Sequence, residues 1–237
     1  MNLGAIFDGL TTGELSKVAL GGARTEDYKI KVEDYKKVIP AINMAIMEIH
    51  KRIPLRTETI MVALSNHITL YKLKREHAVT NADTRFTKYL LDSCESPFNP
   101  KVLRVDNVTD AQGNDYPLNE QNNRSSLFTP THNVVQHPYP LEGGYMDVHY
   151  RTSICEIPRA FDGDPYCYEL DIPDFILAPI LTYVQARLEV GMVRNENAQA
   201  QYALMGKFEQ ECEILKRSDL VVTNAAMNTN IHDNGWT

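Results

Sequence analysis

The chain has 237 residues, of which 43% are hydrophobic, and its formal net charge at pH 7 is −7. This composition is typical of a globular protein, and the length allows one large domain or two small ones. Two apolar stretches without Asp, Glu, Lys or Arg, residues 59–71 and 175–186, are shorter than the roughly 20 residues that a membrane-spanning helix needs. The negative net charge also disfavours general nucleic-acid binding, which relies on clustered Lys and Arg side chains.

The compartment is predicted from the thiols and from the first residues. The first eight residues have neither the basic start nor the long apolar run of a secretory signal, so a protein made and kept in a cytoplasm is expected. No Cys-x-x-Cys pair occurs, and buried or incidental thiols are predicted in that compartment. The four cysteines are Cys94, Cys155, Cys167 and Cys212.

Helical patterns open the chain. Thr11 and Glu14 have the spacing of a capping box, and two glycines follow the pattern, so a short helix is predicted over residues 11–20. A stronger pattern spans residues 34–53, where apolar side chains recur at intervals of three and four and predict one buried helix face. Pro40 falls inside it, where the missing N–H is expected to kink the helix.

The middle of the chain changes to the two-residue period of β-strands. A hairpin is predicted from residues 60–64 and 68–70, and then a loop from residue 81 to 100 with one helical turn at 89–91. Further short strands are predicted at residues 102–108, 116–118, 133–136, 145–152 and 166–172. Short strands at such spacing are typical of a small sandwich or barrel.

Helical periodicity returns at residues 173–193 and 196–217, and residues 219–237 have no period. The predicted fold class is therefore α+β: a discontinuous helical bundle formed by N- and C-terminal helices, an inserted small β-sandwich or barrel, and an extended C-terminal tail. The predicted boundaries are 1–55 for the first part of the bundle, 56–172 for the β domain, 173–218 for the second part of the bundle and 219–237 for the tail.

The sequence contains no motif typical of catalysis or of metal binding. His132 and His137 are five positions apart without a third ligand, and the turn at residues 162–165 lacks the spaced oxygens of a calcium loop. No nucleophile elbow or phosphate-binding loop occurs either. A protein that is not an enzyme and needs no cofactor is predicted. The tail ends near the only tryptophan, Trp236, and aromatic side chains are favoured interface anchors.

A family resemblance is carried by structural residues rather than by a catalytic signature. Its stretches are residues 13–20, 38–43, 49–52, 97–105, 113–119, 148–150 and 170–173. In these stretches the chain resembles the head-to-tail adaptors of short-tailed bacteriophages, which form the tail tubular protein A-like family. The resemblance covers most of residues 10 to 190.

This resemblance implies a virion protein of the phage neck and tail that is assembled in the host cytoplasm. Such a protein would form a ring of twelve copies that binds the portal protein on one side and a tail or nozzle protein on the other. The tail of the chain would dock on the portal, like the C-terminal extension of the family. The docking candidates are Leu220, Val221, Val222, Ile231 and Trp236.

Genomic DNA would pass through such a ring without sequence-specific binding, and no membrane contact is expected. A negative channel wall repels phosphate, which suits passage without adhesion. Acidic residues on the bundle are therefore predicted to face the channel, with Glu189, Glu196 and Glu209 as candidates.

Two alternatives remain open from the sequence. Within the same virion, the chain would instead be a tail-tube, terminator or head-completion protein. The remote alternative is a small hydrolase or carbohydrate-binding module. The absence of a catalytic motif from the sequence disfavours it.

Overall fold

The structure is a computed structural model that describes residues 1–12, 30–139, 142–190 and 198–218. Its helices are α1 (Leu3–Thr12), α2 (Val32–Arg52), α3 (Leu177–Val190) and α4 (Ala198–Arg217). Short 3-10 helices lie at Arg75–His77, Pro165–Cys167 and Asp174–Ile176. The predicted helix 34–53 corresponds to α2, and the two C-terminal helices correspond to α3 and α4.

The described residues form seven strands: β1 (Thr57–Ala63), β2 (Leu70–Lys72), β3 (Leu90–Leu91), β4 (Val102–Asp110), β5 (Phe128–Thr131), β6 (Val134–Gln136) and β7 (Tyr145–Thr152). They form a four-stranded sheet of order β3-β1-β7-β4 and a three-stranded sheet of order β2-β6-β5. All strand pairs are antiparallel. The predicted mixed α+β class is confirmed, and the described strands form two open sheets without a barrel.

The chain divides into two compact units. The first contains the described residues of Met1–Leu55 and Ile154–Thr223, and the second contains those of Arg56–Ser153. The second unit is thus an insertion between two segments of the first. We call them the helical unit and the β unit.

The helical unit is organised around α3, which contacts α1, α2 and α4. Helix α2 turns the apolar stripe that the sequence predicted toward the core, and Val38, Ile42 and Ile49 are fully buried there. Pro40 lies inside this helix, which continues on both sides of it.

The first helix differs from the prediction. Helix α1 spans Leu3–Thr12, so Thr11 lies within that helix, and its hydroxyl donates back to the carbonyl of Phe7 at 3.1 Å. Thr11 is therefore not the N-cap of a helix that begins there, because helical residues precede it and its side chain contacts a carbonyl rather than a free N–H group. Glu14 and the rest of the predicted helix, residues 13–20, lie outside the described residues.

The segment 154–172 belongs to the helical unit, whereas the sequence assigned it to the β domain. Ile154, Ile157 and Ile172 are buried in the core of the helical unit. The predicted strand 166–172 is not a sheet strand. Its backbone instead runs beside the first residues, where Leu3 N–H donates to Tyr168 O at 3.0 Å and Leu170 N–H donates to Met1 O at 2.8 Å.

The β unit is built around β7, which follows the predicted strand 145–152 residue for residue and pairs with both β1 and β4. Its even-numbered side chains, Met146, Val148, Tyr150 and Thr152, are buried. The remaining side chains of the strand are exposed or half-buried, so the alternation in the sequence matches the two faces of the sheet.

Strand partners differ from the prediction at two places. The predicted hairpin is wrong, because β1 pairs with β7 and β3 while β2 pairs with β6 in the other sheet. The predicted helical turn at residues 89–91 is also wrong, because Leu90 and Leu91 form the short edge strand β3.

Candidate functional site

The portal-docking candidates lie in the tail, outside the described residues. These are Leu220, Val221, Val222, Ile231 and Trp236. Their role therefore stays a prediction from the resemblance.

The three acidic channel candidates have different positions. Glu189 lies in the last turn of α3, and Glu196 lies outside the described residues. Glu209 lies in α4, and its side chain is 51% exposed. The structure thus brings only Glu209 into a described side-chain arrangement.

Glu209 is held by an ion pair rather than left as an isolated charge. Arg52, in the last turn of α2, donates from Nη2 to Glu209 Oε1 at 2.6 Å and from Nε to Glu209 Oε2 at 3.1 Å. A two-point arrangement of this kind fixes the geometry of both side chains. The pair neutralises much of the field of Glu209, so this carboxylate is a weaker repeller of phosphate than its exposure suggests.

Arg52 is the centre of a larger cluster that joins α2 to α4. Its Nη1 donates to Glu48 Oε2 at 2.9 Å, and its guanidinium lies 5.2 Å from the ring centre of Phe208. The hydrogen bond to Glu209 is the main reason why the pKa of Arg52 is raised. Lys51 donates to Glu48 Oε1 at 2.6 Å, and this bond is the main cause of the lowered pKa of Glu48.

The solvent side of the four-stranded sheet bears a row of linked polar side chains. His149 of the central strand lies between two threonines, with Nδ1 2.8 Å from Thr59 Oγ1 and Nε2 3.4 Å from Thr109 Oγ1. Two residues further along the same strand, Arg151 donates two hydrogen bonds of 3.1 Å to the carboxylate of Asp106. These side-chain contacts connect β7 to both β1 and β4. The polar atoms involved thus have their partners within the sheet itself.

A groove of about 860 Å³ lies in the β unit beside β1 and β3. Buried side chains, Ile60, Phe98 and Tyr150, contribute to its lining. Three exposed apolar side chains also line it, namely Met61, Val79 and Leu91, with exposures of 44%, 50% and 38%. Charged side chains also line the groove, among them Arg56, Glu58, Arg75, Asp92 and Glu95, so its lining mixes apolar and polar groups.

Several polar groups that line the groove form hydrogen bonds with one another within the β unit. Glu58 accepts from the Tyr150 hydroxyl at 3.2 Å and from Arg56 Nε at 3.2 Å. Burial, followed by the nearby charge of Glu58, raises the pKa of Tyr150. The phenol therefore stays protonated at any physiological pH and acts as a fixed donor to Glu58.

Asp92 also lines the groove and accepts hydrogen bonds from Thr80 and from the 93–100 loop. Burial alone would raise the pKa of Asp92, but hydrogen bonds from Thr80 and from the Phe98 N–H lower it below its ordinary value. Asp92 Oδ1 accepts from the Thr80 N–H at 2.9 Å, and Oδ2 accepts from the Phe98 N–H at 3.2 Å. This carboxylate holds the 93–100 loop in place.

Neither thiols nor metal ligands form a cluster among the described residues. No group of three or more His, Cys, Asp or Glu side chains there is placed to hold a metal ion. Cys94, Cys155 and Cys167 are exposed, whereas Cys212 is buried. Burial raises the pKa of Cys212 to about 11, so its thiol stays protonated at neutral pH. His132 and His137 lie on either side of β6, and burial lowers the pKa of His137.

The sequence did not reveal the groove or the Arg52 cluster. The groove forms where β1 extends beyond β3, and strand pairing over long distances has no local signal. Arg52 and Glu209 are 157 residues apart, so their pairing depends on how α2 and α4 pack. The one local hint was the Pro97-Phe98-Asn99-Pro100 stretch, whose phenylalanine is buried beside the groove.

Comparisons with known proteins add no relative. No family model matches the chain, and a search among curated proteins finds none that matches it. Among the helices that the structure describes, none combines the length and apolar character needed to cross a bilayer. The function therefore has to be inferred from the residues and geometry of this chain.

Proposed function

We propose that this chain is a non-enzymatic virion protein, a head-to-tail adaptor whose twelve copies form a ring between the portal and the tail. DNA would pass through the ring without sequence-specific contacts. The virion neck is its location in this proposal, and the portal and a tail or nozzle protein are its partners.

The observation that carries the proposal is the distribution of the residues that resemble the adaptor family. In the helical unit they include core side chains, namely Val38, Ile39, Ile42, Ile49, Leu170 and Ile172. In the β unit they include a second set of core side chains, namely Phe98, Val102, Val105, Val148 and Tyr150. The resemblance thus involves the scaffold of both units rather than one local motif.

The finer architecture belongs to the same proposal. We infer that the helices form one discontinuous bundle around α3, which is supported by the contacts of α3 with the other three helices. We also infer that the two sheets face each other as a small sandwich. One hydrophobic cluster that contains Tyr71 and Val135 of the smaller sheet together with Val62 and Val148 of the larger sheet supports this arrangement.

The electrostatic part of the proposal depends on acidic side chains along the channel. The net charge of −7 per copy suits a wall that repels phosphate. Glu209 is paired with Arg52, which weakens its repulsion of phosphate, and Glu189 and Glu196 stay candidates for that wall. Replacing one of them by glutamine in every copy should slow DNA ejection, and unchanged ejection would contradict the channel assignment.

A fold alone does not establish a function, so the partner has to be tested directly. The full chain and a version ending at Arg217 are each mixed with the portal ring from the same genome, and the mass of the complex is measured by light scattering after size exclusion. We expect the full chain to bind in ring stoichiometry and the shortened chain to fail.

Point variants separate docking from folding in this experiment. Trp236→Ala should weaken portal binding because it removes the only indole of the tail, whereas Asn234→Ala should bind normally. If the full chain does not bind the portal, the adaptor assignment is wrong. The protein then belongs further along the virion tail or to another class of protein.

A further inference from the structure

We draw no further inference here: the strongest candidate, the groove of the β unit beside the partly uncovered edge of strand β1, carries none because its lining mixes charged and apolar side chains and nothing in the described part of the chain shows what covers it.

Discussion

Gly4 of helix α1 is a position where the missing side chain decides the packing. A Cβ atom built at Gly4 would overlap with the ring of Tyr166, which lies against the helix. The ring is held there because its hydroxyl donates to Asp8 Oδ1 at 2.7 Å. In contrast, a Cβ at Gly206 of α4 would meet no atom within 4 Å.

This contrast predicts opposite effects of the same substitution. Gly4→Ala should lower the free energy of unfolding by roughly 1–3 kcal/mol, because the Tyr166 ring has to move and its hydrogen bond is strained. Gly206→Ala should raise the free energy of unfolding by up to about 1 kcal/mol, since alanine is the better helix former. Urea unfolding followed by circular dichroism measures both. A Gly4→Ala protein as stable as the parent would show that the first helix does not pack as described.

At the scale of elements, the Arg52 cluster joins helices that are far apart in the sequence. Glu48 lies in the same helix as Arg52, whereas Glu209 and Phe208 belong to α4. The contact therefore combines a local ion pair with a long-range one. Since the Glu209 side chain is 51% exposed, solvent screening limits the energy of that pair.

We expect Glu209→Gln to cost at most about 1 kcal/mol of unfolding free energy and the loss to shrink at high salt. Arg52→Ala should cost more, roughly 1–2 kcal/mol, because its side chain also packs on Phe208 and binds Glu48. A double-mutant cycle of the two variants measures their coupling. Lys216→Ala is the control: it breaks an exposed pair with Glu213 within α4 and should be nearly neutral. Zero coupling between Arg52 and Glu209 at low salt would contradict the described contact.

At the scale of the whole molecule, the chain order makes the β unit an insertion with its own core. The unit begins and ends close together, since Arg56 O accepts from the N–H of Thr152. Its core contains fully buried side chains from both sheets, such as Tyr71, Val135 and Val148. A unit with adjacent ends and a separate core is expected to fold independently.

We therefore predict that the fragment 56–153 folds without the rest of the chain. It should show a β-type circular dichroism spectrum and one cooperative urea transition. Val148→Asp, which places a charge at a fully buried position, should abolish that transition and serves as the control. A fragment without cooperative unfolding would show that the core of the β unit depends on the helical unit.

Part of the candidate site was within reach of the sequence. The last helix was predicted over residues 196–217, and Glu209 lies in the corresponding helix α4, because the helical period is a local signal. Its ion pair with Arg52 was not predicted, since no local rule selects a partner 157 residues away. The groove was missed for the same reason: it depends on which strands lie beside β1.

Asn43 illustrates the same limit within one side chain. It belongs to a stretch that resembles the adaptor family, but its sequence position does not explain why it is an asparagine. In the structure its Nδ2 donates to Ile157 O at 2.9 Å and its Oδ1 accepts from Ile157 N–H at 3.0 Å. An amide can make both bonds at once, so the residue joins α2 to a segment 114 positions away.

By itself, the sequence determined the α+β class, helix α2 with its apolar stripe, and strand β7 with its alternating faces. These features depend on periods of 3.6 and 2 residues, and burial of one face imposes those periods locally. Only the tertiary structure decided the partners of β1, the place of residues 154–172 in the helical unit, and the contact between Arg52 and Glu209. Those choices depend on backbone and side-chain groups that meet across long separations, where several pairings share the same local pattern and packing selects one.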